Sequence, residues 1–188
     1  MSSRDPLPKP HWVLPPHSGL ALRSTGKGRG VFTRSGHPAG EVLLEHWGPR
    51  ARFSEAAHRG ADHILEIGED EVFLATGGID DFVNHSCDPN CRLEFRAGRV
   101  FLVALRAIAA GDELTFDYAT STTLDGLSAF PAWRFRCLCG SQVCRGEVSC
   151  AEEVPLERLR YYWEIGALAP HVRPRVASLL DALAVEAA

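Results

Sequence analysis

Three cysteines fall within eight residues as Cys137-x-Cys139-x4-Cys144, beside Gly140 and Gly146. Thiolates bind zinc tetrahedrally, and glycines let a short loop turn tightly around an ion. That clustering reads as a metal site sooner than as scattered core thiols. Three ligands leave one tetrahedral position, and a closed structural site takes four. The remaining cysteines are Cys87, Cys91 and Cys150. Upstream lies Asp81 to Asn90, read Asp-Phe-Val-Asn-His-Ser-Cys-Asp-Pro-Asn, and then Glu113-Leu114-Thr115-Phe116-Asp117-Tyr118. These two blocks offer an amide, an imidazole, carboxylates and a phenol. Alone, the Asn84-His85 pair is a turn-capping device, and Tyr118 a half-buried strand tyrosine. Gly28-Arg29-Gly30 is a turn that also permits close backbone approach to a ligand.

The elements that position these residues are mostly short strands. Leu20–Leu22, Gly30–Thr33, Val42–Glu45, Ile64–Ile67 and Val72–Ala75 are apolar runs separated by glycines. Cys91 to Phe95 alternates, turns at Ala97-Gly98 and returns as Val100 to Leu105, a hairpin pattern. Gly111-Asp112 turns before a strand at Leu114 to Phe116, and Glu55 to His58 suits a short helix. No βαβ spacing recurs, so the expected fold is β-rich α+β, without a Rossmann sheet. After Cys150 the period changes. Pro155 suits a helix start, Leu156, Leu159, Tyr162 and Trp163 share a face, and Gly166 breaks the run. Pro174 opens a second helix with Val176, Leu179, Leu180 and Leu183 on one side. The expected divisions are an irregular proline-rich arm over 1–18, a main domain over 19–120, a cysteine segment over 121–150 and a helical tail over 151–188.

The chain has 188 residues, 45% hydrophobic and 23% charged, as in a globular domain. It shows no signal peptide and no apolar run long enough for a bilayer, so the cytosol is the expected compartment, with no membrane partner. There, cysteines serve as thiols or metal ligands. A net charge of −4 speaks against nucleic acid as a main partner and is compatible with a basic peptide.

Taken in order, Gly28-Arg29-Gly30, Asn84-His85-Ser86-Cys87, the Glu113 to Tyr118 block and the three-cysteine knuckle resemble the SET domain of protein-lysine methyltransferases with its post-SET zinc motif, over about residues 19 to 147. The resemblance implies a SET fold of small curved sheets with a pseudoknot at Asn84-His85, and S-adenosylmethionine as methyl donor. It implies cofactor contacts from Gly28, Arg29, Gly30, Asn84, His85, Tyr118 and Leu138. It makes Tyr118 the catalytic residue, with its hydroxyl beside the transferring methyl and the lysine nitrogen. A lysine pocket follows from His46, Phe116 and Tyr118, and a structural zinc from Cys87, Cys137, Cys139 and Cys144. The partner implied is a lysine-containing protein or peptide. Phe116 lacks the hydroxyl that would hold a crowding water, which implies di- or trimethylated product. Phe130, Trp133 and Phe135 are candidate channel walls. Lysine attacks as the neutral amine, so an apolar channel and a neighbouring sulfonium both favour the reactive form.

The sequence also departs from that pattern. His46-Trp47-Gly48 stands where the family has Tyr-x-Gly, and an imidazole there is expected to titrate near neutrality. Asp81 replaces the arginine that often opens the Asn-His-Ser-Cys motif. The acidic stretch Glu66 to Glu71 reads as a solvated turn, or else as an attractor for a basic peptide. The competing readings are a SET-like peptide-binding module without turnover and a zinc-knuckle protein for nucleic acid. The helical tail is expected to pack on the domain; a homodimer contact through it is the alternative.

Overall fold

The structure is a computed structural model and describes residues 19–58 and 63–186. The expected 1–18 arm lies outside the described residues, as does the side chain of Leu183.

Strand β1 (Leu20–Thr25) pairs antiparallel with β2 (Gly28–Thr33), longer than the alternation alone suggests. Thr25 Oγ1 accepts the Lys27 N–H at 3.0 Å, and Gly28 follows at φ 104°, a conformation open to glycine. Strand β3 (Val42–His46) leads to β4 (Arg50–Ala51) and to helix α1 (Phe53–Ala57), which starts earlier than expected. Asp70 Oδ1 accepts the Phe53 N–H at the start of α1. Strands β5 (Leu65–Gly68) and β6 (Glu71–Phe73) join β4 in a three-stranded sheet of order β4-β6-β5. Strand β7 (Asn84–His85) follows a 3-10 turn at Ile79–Phe82.

The expected hairpin forms as β8 (Cys91–Arg96) and β9 (Arg99–Ala104), with β3 on the far side of β9. Its two loop residues, Ala97 at φ 48° and Gly98 at φ 76°, are both left-handed, as the two-residue hairpin turn requires. Inward side chains of these strands, Leu44, Leu93, Val100 and Leu102, form the main core with Val31 and Leu114.

Strand β10 (Thr115–Phe116) pairs parallel with β7, setting Thr115 beside Asn84 and Phe116 beside His85. The β8–β9 hairpin is the crossover that a parallel pair needs. This one pairing brings together two motifs thirty residues apart in sequence.

Residues 121–150 carry more structure than a cysteine loop. Helix α2 (Leu124–Ala129) starts on Thr123, whose hydroxyl accepts the Gly126 N–H, and β11 (Phe135–Arg136) pairs with β12 (Glu147–Val148) around the cysteines. Helix α3 (Leu156–Glu164) ends on Gly166 at φ 64°. There Gly166 N–H bonds the Trp163 carbonyl and Ala167 N–H the Tyr162 carbonyl, the Schellman closure. Helix α4 (Arg173–Glu186) follows. Leu159, Tyr162, Leu168, Val172 and Val176 bury themselves with Ala119 and Ala151, so the tail packs on the domain as expected. Removing Leu159 from that cluster by truncation to alanine would cost about 2–5 kcal/mol. Among the described residues no helix is long and apolar enough to cross a membrane.

Candidate active site and thiol cluster

A cleft of about 390 Å³ runs between the β5–β6 side, the β7/β10 pair and the β11–β12 hairpin. Tyr118 lies in its wall. The Tyr118 hydroxyl donates to the Val83 carbonyl at 2.9 Å, and burial, with the nearby Glu113 charge, raises its pKa above the phenolic range. The phenol is therefore a fixed neutral group whose oxygen keeps lone pairs free. Its ring tilts against Phe116 at 4.9 Å, and Phe116 meets the edge of His46 at 5.9 Å. His46, Phe116 and Tyr118, grouped on sequence as a lysine pocket, thus adjoin one another along one cleft wall.

His46 differs from expectation in its charge. It is 6% exposed, and burial pushes its pKa down to about 4 against the pull of Asp81. It does not titrate near neutrality; it is a neutral imidazole, and its Nε2 has no hydrogen-bond partner among the described residues.

Asn84 and His85, also in the cleft lining, are set by β7 beside Thr115 and Phe116. The Asn84 amide donates to the Arg29 carbonyl at 2.9 Å and to Glu113 Oε1 at 2.7 Å, while Lys27 Nζ donates to Glu113 Oε2 at 2.7 Å. Glu113, not singled out from sequence, is the clamp that joins the glycine turn to the Asn-His segment. Gly30 leaves room for this pair, since a Cβ at this position would lie 2.4 Å from Glu113 Oε1 and 2.8 Å from Asn84 Nδ2 and would force one of them to shift. Arg29 presents its backbone to Asn84 and stacks its guanidinium over Phe82 at 3.9 Å. Leu138, 56% exposed, lines the cleft, as do Trp133 and Phe135. Phe130 instead packs between Phe53 and Trp133 in a separate core cluster.

His85 Nδ1 accepts the Tyr118 N–H at 3.2 Å. The proton therefore belongs on Nε2, which lies 3.3 Å from Cys87 Sγ and donates to it. Burial lowers the His85 pKa to about 4, with Asp117 opposing, so the ring is neutral. Cys87, Cys137, Cys139 and Cys144 gather with all four sulfurs within 4.8 Å of one another. Cys87 and Cys137 are 3.8 Å apart. A tetrahedral zinc–thiolate site has sulfur–sulfur edges of about 3.8 Å, from its 2.3 Å bonds. The donor set and spacing fit such an ion. Backbone N–H groups of Arg145 and Gly146 point at Cys87 and Cys144, as donors to thiolates do. Cys91 and Cys150 are buried elsewhere.

Two buried carboxylates were not legible from local sequence. Asp117 is bonded by both Arg145 Nη atoms and by the Tyr162 hydroxyl. Burial opposes its ionisation, but the Arg145 bonds and charge hold its pKa below the usual carboxylate range. Glu66 accepts the Thr123 N–H at 3.0 Å and its hydroxyl at 2.6 Å, and burial pushes its pKa up to about 7. Glu69 and Asp70 form an exposed turn, as the solvated-turn reading expected, but Glu66 does not belong to it. Glu66 is interior, Asp70 pairs with Arg52 and Glu71 pairs with Arg50.

This arrangement agrees with the family comparison, in which residues 28–119 match the SET domain. Residues 28–119 are a SET domain. The chain is 34% identical over 142 residues to a histone-lysine N-methyltransferase, H3 lysine-4 specific, of Saccharomyces cerevisiae, covering 68% of this chain and 13% of that protein. It is 34% identical over 132 residues to the corresponding protein of Eremothecium gossypii, covering 62% and 13%. The chain therefore spans about an eighth of the length of these curated relatives. The crystal structure of KRYPTONITE in complex with mCHG DNA and SAH superposes with a TM-score of 0.57 at 30% identity, covering 69% of this chain and 29% of that one. A second KRYPTONITE structure, with mCHH DNA, an H3(1–15) peptide and SAH, gives 0.57 at 28% identity, with the same two coverages. The SET fold expected from the motifs, β-rich with small sheets and a few helices, is the observed one.

Proposed function

We propose that this chain is an S-adenosylmethionine-dependent protein-lysine N-methyltransferase acting on a basic protein segment. The observation that carries this is the placement of Tyr118. Its neutral hydroxyl is anchored on Val83, between the Asn84–Glu113–Gly30 cradle and the apolar wall of Phe116 and His46. S-adenosylmethionine supplies an electrophilic methyl on a sulfonium. Gly28, Gly30, Asn84 and His85, with Leu138 at the cleft edge, form its cradle, the Arg29 carbonyl orienting the Asn84 amide. The apolar wall favours the uncharged lysine amine, and neutral His46 adds no competing charge. The Tyr118 oxygen accepts weak C–H contacts from a polarised methyl group. Catalysis on this reading is mainly positioning of two reactants.

Cys87, Cys137, Cys139 and Cys144 hold one structural zinc in this reading, which fastens the β11–β12 hairpin against the Asn-His segment. Phe116 leaves the pocket without a hydroxyl, so the product is di- or trimethyl-lysine. The net charge of −4 supports a basic protein substrate over nucleic acid. The DNA and the H3 peptide bound by KRYPTONITE belong to a chain of which this one covers 29%.

Transfer of labelled methyl to an H3 peptide and to whole-cell lysate tests the proposal. Label on lysine, with di- or trimethyl product by mass spectrometry, is expected. Binding of S-adenosylmethionine without any protein labelling would replace the enzyme by a peptide-binding module. A product that stops at monomethyl-lysine under excess cofactor would overturn the Phe116 argument.

A further inference from the structure

Tyr162 lies on α3, beyond residue 119 where the SET match ends. It is 1% exposed, and its hydroxyl donates to Asp117 Oδ2 at 2.7 Å. Asp117 immediately precedes Tyr118. Its carboxylate takes Arg145 Nη1 on Oδ2 at 2.5 Å, Arg145 Nη2 on Oδ1 at 2.7 Å and the Ala119 N–H on Oδ1 at 3.1 Å. A carboxylate offers about four acceptor sites, and here four donors fill them. The Asp117 Oδ1 also stands 3.5 Å from His85 Nδ1, the atom that receives the Tyr118 N–H. Arg145 follows Cys144, and its own N–H points at Cys87 Sγ at 3.4 Å. One buried charge thus joins the helical tail, the thiol cluster and the turn that carries Tyr118.

We infer that Tyr162 is a positioning residue for methyl transfer, acting on Tyr118 through Asp117. The inference rests on the methyltransferase reading above. The physical reason is the completeness of the Asp117 shell. The site is closed to water, so a donor removed from Oδ2 is not replaced, and a buried charge with a vacant acceptor position turns toward its remaining partners. Asp117 caps the short turn Tyr118–Thr120 through the Ala119 N–H, so its rotation moves the Tyr118 backbone. A misplacement on the order of 1 Å at a reacting group can cost about 10²-fold in rate.

The test compares two variants of the full chain, well below both melting temperatures. Tyr162→Phe removes only the hydroxyl. Leu159→Ala loosens the same helix without touching Asp117. Tyr162→Phe is expected to lower kcat by roughly tenfold to a hundredfold, with peptide KM and S-adenosylmethionine affinity by calorimetry unchanged. Leu159→Ala is expected to lower the melting temperature and leave kcat at the wild-type value. Wild-type turnover in Tyr162→Phe overturns the inference. So does an equal loss of kcat in Leu159→Ala, which would make the tail a purely structural support. A wild type that transfers no methyl overturns the methyltransferase reading itself, and this role with it.

Discussion

His85 Nε2 lies 3.3 Å from Cys87 Sγ, while the other nitrogen of the same ring accepts the Tyr118 N–H. One neutral imidazole thus spans from a thiol of the four-sulfur cluster to the backbone of the proposed catalytic tyrosine. An imidazole that donates to a thiolate stabilises and orients it, and losing a partner that orients a metal ligand typically costs about 10–100-fold in metal affinity. The thiol cluster and the turn that carries Tyr118 are consequently joined through a single side chain.

Tyr118→Phe removes the hydroxyl that donates to Val83 at 2.9 Å and leaves the ring contacts with Phe116 and His85 in place. Cofactor affinity is expected to persist while methyl transfer falls by roughly 10²-fold, the cost of losing a preorganised polar group at a reacting centre. Near wild-type turnover in single-turnover assays would remove Tyr118 from the mechanism.

Freshly reduced protein is expected to carry one zinc per chain by elemental analysis. Cys87→Ser, Cys137→Ser, Cys139→Ser and Cys144→Ser should each lose it, because a tetrahedral structural site has no ligand to spare. Cys91→Ser and Cys150→Ser should retain it, since both thiols are buried away from the cluster. Metal loss in either of those two variants would show that the ligand set is wrong.

Gly30→Ala places a methyl group 2.4 Å from Glu113 Oε1 and 2.8 Å from Asn84 Nδ2. The Asn84–Glu113 bond and the glycine turn cannot both keep their places. Overpacking of this kind costs about 1–3 kcal/mol of stability, and the displaced turn should show weakened cofactor affinity by calorimetry. Unchanged affinity would place the cofactor away from this turn.

The pH dependence of stability should carry the mark of His46. Its folded pKa of about 4 lies below the unfolded value of 6.5, so its contribution is fully present above pH 6.5 and is lost as pH falls toward 4. The linkage amounts to about 3 kcal/mol at most. Glu66 works in the opposite direction, losing stability as pH rises from 4.5 through about 7, but it is common to wild type and His46→Phe and cancels in their difference. Urea titrations of both proteins across this range should diverge below pH 6.5, with wild type falling further. Parallel curves would mean that His46 is not held neutral by burial.

By itself the sequence determined the features that depend on neighbouring residues. Alternation and the Ala97-Gly98 turn marked the β8–β9 hairpin, the change of period after Cys150 marked α3 and α4, and cysteine spacing marked the knuckle. Local chemistry dictates each of these, because strand faces repeat every two residues and helix faces every 3.6. The Asn84-His85 and Phe116-Asp117-Tyr118 blocks were visible as motifs, but the parallel β7–β10 pairing that makes them one site is a long-range contact. Tertiary structure alone decided the rest. Lys27–Glu113–Asn84, Arg145–Asp117–Tyr162 and Glu66–Thr123 join residues 28 to 86 positions apart, and no periodicity records which distant carboxylate meets which donor. Whether His46 is charged could not be read from its residue type either. The energy of a charge depends on how much water the fold removes from around it, and that is settled only when the strands close over the cleft.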